Sequence, residues 1–356
     1  MERMDGQSVL LAMSGGVDSS VAAAMLVEAG AAVTGVFMCL GTAGGEGSDR
    51  GCCSPQDAAD ARRVAENLGM DLHVLNLQDA FAPIIDYFIG EYVAGRTPNP
   101  CIRCNAILKF GRLVDLADSL GIDFVATGHY ARIGEFDGQR CIRRGANPHK
   151  DQSYALFEIP PANLSRMLLP IGEIDDKKLV RDKAREAGLN VADKPDSQEI
   201  CFVEDDDYVA LLADRAPQAL TAGNIINLEG EILGRHEGYG QFTIGQRRGV
   251  NVACGVPMYV TKIDPATAEV TIGTREQSRG LTLTAERAVW HVRPPAAEFE
   301  ATVQIRYNHR GAPATVRIGE GDTFAVEFHE PIHAITPGQA AVVYIDDHLL
   351  GGAWIQ

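Results

Sequence analysis

Ser14-Gly15-Gly16-Val17-Asp18-Ser19-Ser20 stands between the apolar run Val9-Leu10-Leu11-Ala12-Met13 and the helix-like Val21-Ala22-Ala23-Ala24-Met25-Leu26. A buried strand therefore runs into a glycine turn and a helix starts straight after it. Adjacent glycines let the backbone come close to a ligand, and Asp18, Ser19 and Ser20 stand where the first helical N–H groups lack partners. Together these features make an anion site, most naturally for phosphates. The Walker motif and the G-x-G-x-x-G fingerprint are both absent. The plain alternative is a glycine turn with a Ser/Asp cap.

Outward from this turn, residues 8 to about 128 alternate strand-like and helix-like runs. Strands are expected at Ala32–Met38, Leu72–Leu75 and Phe124–Thr127, with helices at Gln56–Leu68, Asp79–Val93 and from about Cys101 to Leu120. Such alternation predicts an α/β fold with a parallel sheet and helices on both faces, and ligands beyond the carboxyl ends of its strands. The phosphate turn, the residues after Met38 and Thr127-Gly128-His129-Tyr130 should line one pocket. Met38 reads equally as core or as an adenine contact. Gly128 would let a nucleotide approach the backbone, and His129 is either a polar contact to substrate or a structural hydrogen bonder. A Gly-rich loop, Gly41 to Gly51, reads as a lid or a tolerated insertion.

Ile142 to Gly188 reads as a polar loop followed by helices at Ala162–Leu168 and Asp175–Glu186. Asp205 to Leu212 reads as a capped helix with an acidic first turn. Short β runs follow at Gly223–Leu228, Glu231–Gly234, Met258–Ile263 and Val270–Gly273, and then at Ala301–Tyr307, Ala314–Ile318, Thr323–Phe328, Ala341–Ile345 and Gly352–Gln356. The last group predicts a small antiparallel barrel or sandwich.

The 356 residues suffice for two or three domains. No apolar run approaches the ~20 residues of a membrane span and the start lacks signal-peptide order, so a cytoplasmic protein, expected to be a monomer, is predicted. A net charge of −16 argues against indiscriminate polyanion binding. Local basic clusters remain candidates for nucleic-acid contact: Arg140 to Lys150, Lys177 to Arg185, and Arg306 to Arg310.

Eight cysteines in a chain of this length read as reduced thiols. Cys101-Ile102-Arg103-Cys104 follows Thr97-Pro98-Asn99-Pro100 and opens a helix, where the dipole and a nearby arginine stabilise a thiolate. Cys104 is thus a candidate nucleophile, and half of a zinc site is the alternative. Cys201 reads either as a second reactive thiol or as a small buried hydrophobe. Cys52-Cys53, in the Gly-rich loop, is expected to be exposed.

SGGxDS at a strand-to-helix turn resembles the pyrophosphate loop of the ATP pyrophosphatase superfamily. Five further motifs follow it in order: Thr97-Pro98-Asn99-Pro100 with Cys104-Asn105, Ala126-Thr127-Gly128-His129-Tyr130, Lys150-Asp151-Gln152-Ser153-Tyr154, Asp196-Ser197-Gln198-Glu199-Ile200-Cys201-Phe202, and Gly245-Gln246-Arg247-Arg248-Gly249. With all of them, the sequence resembles the tRNA-specific 2-thiouridylase (MnmA) family nearly end to end. The resemblance implies an adenine nucleotide alpha-hydrolase-like N-terminal domain with a helical tRNA-contacting extension (1–205), a small mostly-β central domain (206–280) and a C-terminal antiparallel β-barrel that binds tRNA (281–356).

It also implies sulfur transfer to the wobble uridine of tRNAs for Lys, Glu and Gln. ATP would bind Ala12, Met13, Ser14, Gly15, Gly16, Val17, Asp18, Ser19, Met38 and Gly128, with Mg2+ on its phosphates. Cys104 would be the nucleophile and Cys201 the persulfide carrier, charged by a cysteine desulfurase or sulfur-relay proteins, with a Cys104–Cys201 disulfide formed in turnover. Asn99, Pro100 and Cys101 would meet the target base, and His129, Lys150, Asp151, Gln152, Arg306, Tyr307 and Gln339 other parts of the tRNA.

Many family members carry Asp where this chain has Cys101. Cys101, Cys104 and Cys201 around one pocket offer an iron–sulfur cluster as a second reading beside the persulfide relay. A nitrogen-transferring ligase of the same superfamily would need neither thiol, and a tRNA-binding protein with structural ATP would release no pyrophosphate.

Overall fold

The computed structural model describes residues 2–41, 54–196, 200–203 and 207–356. The Gly-rich loop beyond Gly41, Cys52-Cys53, Ser197-Gln198-Glu199 and Asp205-Asp206 lie outside the described residues.

Five parallel strands form the first sheet in the order β3-β2-β1-β4-β7, with β1 (Ser8–Met13), β2 (Ala32–Cys39), β3 (Asp71–Asn76), β4 (Phe124–Ala126) and β7 (Met167–Leu168). Side chains of β1 alternate between the two faces, as a strand's period of two requires. Val9, Leu11 and Met13 enter one apolar cluster with Val21 and Leu26, while Leu10 and Ala12 enter another with Ile102, Phe110 and Leu113. Helices α1 (Val17–Glu28), α2 (Pro55–Leu68) and α3 (Gln78–Val93) follow β1, β2 and β3. Helix α2 begins where Ser54 accepts from Asp57 N, has Pro55 at its first position, and ends at left-handed Gly69. After α3, one continuous helical stretch runs through α4 (Pro100–Cys104), a π-helical segment over Asn105–Arg112, and α5 (Leu113–Leu120).

A β-hairpin, β5 (Ala131–Phe136) and β6 (Gln139–Arg144), precedes the region read as a polar loop and takes in its first residues, Ile142–Arg144, and β6 pairs with the last strand of the chain through His348↔Arg143 and Leu349↔Ile142. The helix expected at Ala162–Leu168 is a 3-10 turn, Pro161–Arg166, leading into β7. Met167 and Leu168 find hydrogen-bond partners on the open edge of β4, and that outweighs local helix propensity. Helix α6 (Lys177–Glu186) forms as expected, capped by Asp176.

Helix α7 (Tyr208–Arg215), capped by Asp207, precedes a four-stranded sheet ordered β10-β11-β8-β9, with β8 (Gly223–Ile226), β9 (Ile232–His236), β10 (Tyr259–Asp264) and β11 (Glu269–Gly273). The remaining strands are β12 (Arg279–Trp290), β13 (Glu298–Gln304), β14 (Ala312–Ile318), β15 (Thr323–His333), β16 (Ala340–Ile345) and β17 (His348–Ile355). They run β12-β15-β14-β13-β16-β17, and pairing of β12 with β17 closes an antiparallel six-stranded barrel. Closure removes the sheet edges, so each inward position can be apolar.

Barrel and parallel-sheet region share one core, in which Tyr154, Phe157, Val342, Tyr344 and Trp354 pack with Leu10, Ile102 and Phe110. At its rim, Asp347 accepts from Arg132 (2.7 Å) and Arg143 (2.7 Å), tying the hairpin to the β16–β17 turn. Burial raises the Asp347 pKa, but the bond from Arg143 and the charges of Arg143, His348 and Arg132 outweigh it and hold the carboxyl below its ordinary range. Stability from this group is present above its ordinary pKa and is lost as pH falls through the lowered one. Asp347→Asn is expected to cost about 1–2 kcal/mol at neutral pH, read as a lowered thermal midpoint, with the difference from wild type vanishing in strong acid.

His291, wholly buried, has Nε2 3.1 Å from Ile159 O. Burial lowers its pKa to about 4 in spite of that bond. Between about pH 6.5 and 4 the unfolded chain therefore takes up a proton that the folded chain refuses, and stability falls as pH falls. A pH series of thermal melts should show a steeper loss over that window for wild type than for His291→Gln.

Candidate functional site

The carboxyl ends of β1 and β4 bring the glycine turn and Thr127-Gly128-His129 together. Gly15 has a left-handed backbone (φ 71°), and an added Cβ would strike the carbonyl of Asp57 at the start of α2. Ser19 Oγ (3.2 Å) and Ser20 Oγ (2.8 Å) both donate to Gly16 O, and no side-chain oxygen of the described residues caps the first turn of α1. The first-turn amides are thus left to an incoming anion. Gly128 serves a purpose that the sequence alone did not suggest: a Cβ there would lie 2.6 Å from Ser19 N. Its lack of a side chain lets β4's exit pack on the backbone of α1. Met38 is half-buried against two apolar clusters.

A charged network unforeseen from the sequence borders the turn. Asp18 accepts from Tyr130 OH (2.6 Å) and from Lys177 Nζ (2.7 and 2.8 Å). Lys177 also pairs with Asp196 (2.9 Å), as do Lys150 (2.8 Å) and Arg181 (3.3 Å). Lys194 Nζ reaches Gly15 O (2.9 Å), Asp57 and Asp60 (2.7 Å). Lys177 and Arg181 face one way because α6 places them one turn apart. That spacing was the available signal, but a run of charge on a helix is usually solvated.

Asn99 Oδ1 accepts from Ile102 N (3.4 Å) and so caps α4. Pro100 is buried, Cys101 exposed and Cys104 buried. Cys104 and Cys201 belong to one apolar cluster, with Phe81, Phe88, Leu108 and Phe202. Arg103, expected to stabilise a thiolate, is held instead by the Glu158 carboxylate, which also accepts from Trp354 Nε1 (3.1 Å). The barrel reaches this loop directly. Gln339 Nε2 donates to Thr97 O (3.2 Å) and Pro98 O (3.0 Å), and Thr97 N donates to Pro337 O (2.9 Å).

Other residues predicted to meet RNA also have internal duties. Asp151 accepts from Arg144 (2.9 Å), Gly145 N and Ser153 N, and Gln152 Oε1 accepts from Tyr130 N (2.9 Å). His129 is buried, with Nδ1 2.7 Å from Thr127 Oγ1, and burial together with the charge of Lys109 keeps its pKa well below the ordinary histidine value. Arg306, half-buried, donates to His333 O (2.9 Å), while Tyr307 and Arg310 are exposed. Arg143 and Arg144 are consumed by Asp347 and Asp151, so the Arg140–Lys150 cluster presents less free charge than its sequence suggests. Among the described residues no three His, Cys, Asp or Glu side chains gather into a metal-binding group.

Family models match in three consecutive blocks: a tRNA methyl transferase HUP domain over residues 7–205, a tRNA methyl transferase PRC-barrel domain over 210–274, and an aminomethyltransferase beta-barrel domain over 280–355. The tRNA-specific 2-thiouridylase MnmA of Carboxydothermus hydrogenoformans is 48% identical, the alignment covering 100% of this chain and 99% of that protein. The MnmA of Rhodopirellula baltica is 45% identical over 98% of this chain and 96% of its own. Among solved structures, a 4-thiouridine synthetase–RNA complex with bound ATP is 18% identical, with a TM-score of 0.38 over 60% of this chain and 51% of that one. By its end-to-end identity to these relatives, the chain belongs to the tRNA-specific 2-thiouridylase (MnmA) family.

Proposed function

We propose that this chain is a tRNA-uridine 2-sulfurtransferase, replacing the 2-oxygen of the wobble uridine in tRNAs for Lys, Glu and Gln at the expense of ATP. The observation that carries this reading is Cys104 in an apolar cluster against which Cys201 packs, in a chain of this family that also has the phosphate turn. Residues 1–205 would bind ATP and hold the chemistry, 206–280 would form the central domain, and 281–356 would help to hold tRNA.

ATP would lie along Ala12 to Ser19, with Met38 and Gly128 at its edge. Mg2+ takes one or two carboxylates together with substrate phosphates; Asp18, the single carboxylate of the turn, would hold it on giving up Lys177, which donates to both of its oxygens. When bound, the ion would neutralise phosphate charge. The uracil O2 attacks the α-phosphorus, a new P–O bond forms, the α–β bond breaks, and pyrophosphate leaves with the electron pair. Cys201 arrives as a persulfide from a cysteine desulfurase or a relay protein. The Cys104 thiolate attacks the Cys201 sulfur, giving a Cys104–Cys201 disulfide and hydrosulfide, which displaces AMP from C2. An external dithiol then reduces the disulfide by thiol–disulfide exchange, itself becoming oxidised, and restores both thiols.

For RNA, Cys101 and Tyr307 are exposed, and Lys150 is half-buried with its ammonium on Asp196. The hydrogen bonds of Asn99, Asp151, Gln152 and Gln339 support the backbone that presents them, and Pro100 and His129 pack beneath. Arg306 and Arg310 would meet phosphates.

Nucleoside mass spectrometry of unmodified tRNA-Glu, after incubation with the protein, ATP, Mg2+, cysteine and a cysteine desulfurase, should show the ~16 Da gain of sulfur for oxygen at the wobble uridine. Cys104→Ser should abolish that gain while tRNA-dependent pyrophosphate release continues. A gain that survives the substitution would refute the thiol chemistry. Arg310→Ala should weaken tRNA binding and lower the slope of log K against log salt by about one, with ATP affinity unchanged. An unchanged slope would remove Arg310 from the interface.

A further inference from the structure

The motif Gly245-Gln246-Arg247-Arg248-Gly249 has no role in the thiolation reading. It folds as a turn braced from within: Gln246 Oε1 accepts from Thr243 N (2.8 Å), and Gln246 Nε2 donates to Arg248 O (2.9 Å). Gly245 and Gly249 supply left-handed backbone (φ 86° and 80°) at its two ends. Gly245 N donates to Val260 O (2.8 Å) and Val260 N to Gln246 O (3.0 Å), which fastens the turn to β10. The glutamine is thereby spent on the turn, and the two arginines are left outside it. Both are exposed, and among the described residues neither has a carboxylate within ion-pair distance. Arg143 and Arg144, by contrast, are taken up by Asp347 and Asp151. A chain of net charge −16 has carboxylates to spare, so two adjacent arginines held clear of them on a braced turn point to an anion from outside.

The place of the turn says which anion. Arg306 of the barrel donates to His333 O (2.9 Å) and Ala334 O (3.3 Å). A Cβ on Gly245 would lie 2.6 Å from Ala334 Cβ, and Tyr259, at the start of β10, packs edge-on against His333 with ring centroids 5.1 Å apart. The turn and the 306–310 loop therefore lean on the same two residues, and their arginines belong to neighbouring parts of one basic surface. From Tyr259, β10 runs about 15 Å to Ile263, which with Pro265 packs on Gly95 just before Thr97. The turn is thus about one strand length from the loop proposed to meet the target base: too far to touch the uridine, near enough to hold the RNA that carries it.

We propose that the 245–249 turn of the central domain is a binding site for the tRNA backbone, Arg247 and Arg248 each holding a phosphate beside those met by Arg306 and Arg310. This assignment rests on the thiolation reading above. Contacts of this kind fix affinity and register without reading bases, and the arginine fork matches two oxygens of one phosphate. Arg247 also borders an apolar groove with Val250, Val252, Val256 and Met258, which makes a sulfur-donating protein the competing occupant. The two unspent charges favour the polyanion.

The test is binding of unmodified tRNA-Glu by the full chain over a salt series, with ATP affinity and thermal midpoint measured alongside. Four proteins are compared: wild type, Arg247→Ala with Arg248→Ala, the same two positions changed to lysine, and Arg293→Ala. Arg293 is an exposed control past the end of β12 remote from His333. The alanine pair is expected to bind about tenfold more weakly at fixed salt and to lower the slope of log K against log salt by about two, with midpoint and ATP affinity as in wild type. The lysine pair should keep the slope, and Arg293→Ala should match wild type. A wild-type slope in the alanine pair would overturn the assignment. So would a drop of about one in Arg293→Ala, which marks a loss of general charge and not of a site. If the alanine pair binds tRNA normally but a cysteine desulfurase no longer loads its Cys201 with persulfide, the turn belongs to the sulfur donor and the assignment falls. Wild type that binds no tRNA sinks the thiolation reading and the turn together, whereas normal binding by wild type and the alanine pair alike sinks the turn alone.

Discussion

Tyr154 is wholly buried in the seam between the parallel sheet and the barrel. Its hydroxyl donates to Ala340 O and accepts from Ala340 N, both at 3.1 Å. Burying a tyrosine hydroxyl is tolerable only when its bonding capacity is met, and here one strand of the barrel meets both halves of it. The neighbouring buried groups follow the same rule: Ser153 Oγ lies 3.0 Å from Tyr344 OH, and Trp354 Nε1 donates to Glu158. This seam fixes the loop before Cys104. From it Gln339 reaches the carbonyls of Thr97 and Pro98, and Trp354 helps to hold the carboxylate that orients Arg103. The barrel is therefore part of the scaffold of the thiol site as well as a surface beside it.

The parallel sheet was legible because its central strands β1 and β2 are largely buried and read as continuous apolar runs, and the phosphate turn because glycines and serines stand at fixed places around a strand end. What could not be read were the elements whose partners lie far away in sequence. Strand β7 is two residues long and exists only through pairing with β4. The β5–β6 hairpin, only the end of which falls in the stretch from Ile142 read as a polar loop, carries Arg132, Arg140, Arg143 and Arg144, and Asp347, which pairs with two of them, lies some two hundred residues on. Gln339 was assigned to RNA only through the family resemblance, and nothing local reveals that Thr97 and Pro98 offer it two carbonyls.

Gly128 shows the same limit at the scale of one residue. A glycine after a strand in a nucleotide pocket suggests close approach of a ligand. In the fold the close approach is made first by the chain itself, at Ser19 N. The two readings are compatible, because backbone packed that tightly at the mouth of the turn fixes where its amides point.

An acidic protein proposed to bind two polyanions must keep its cations where they are useful without letting them collapse on the nearest carboxylate. Asp18 and Asp196 achieve this at the phosphate turn, holding Lys177 from two sides and Lys150 and Arg181 from one. The cations are positioned in advance, and lysine pays little to change partners when a more highly charged phosphate arrives.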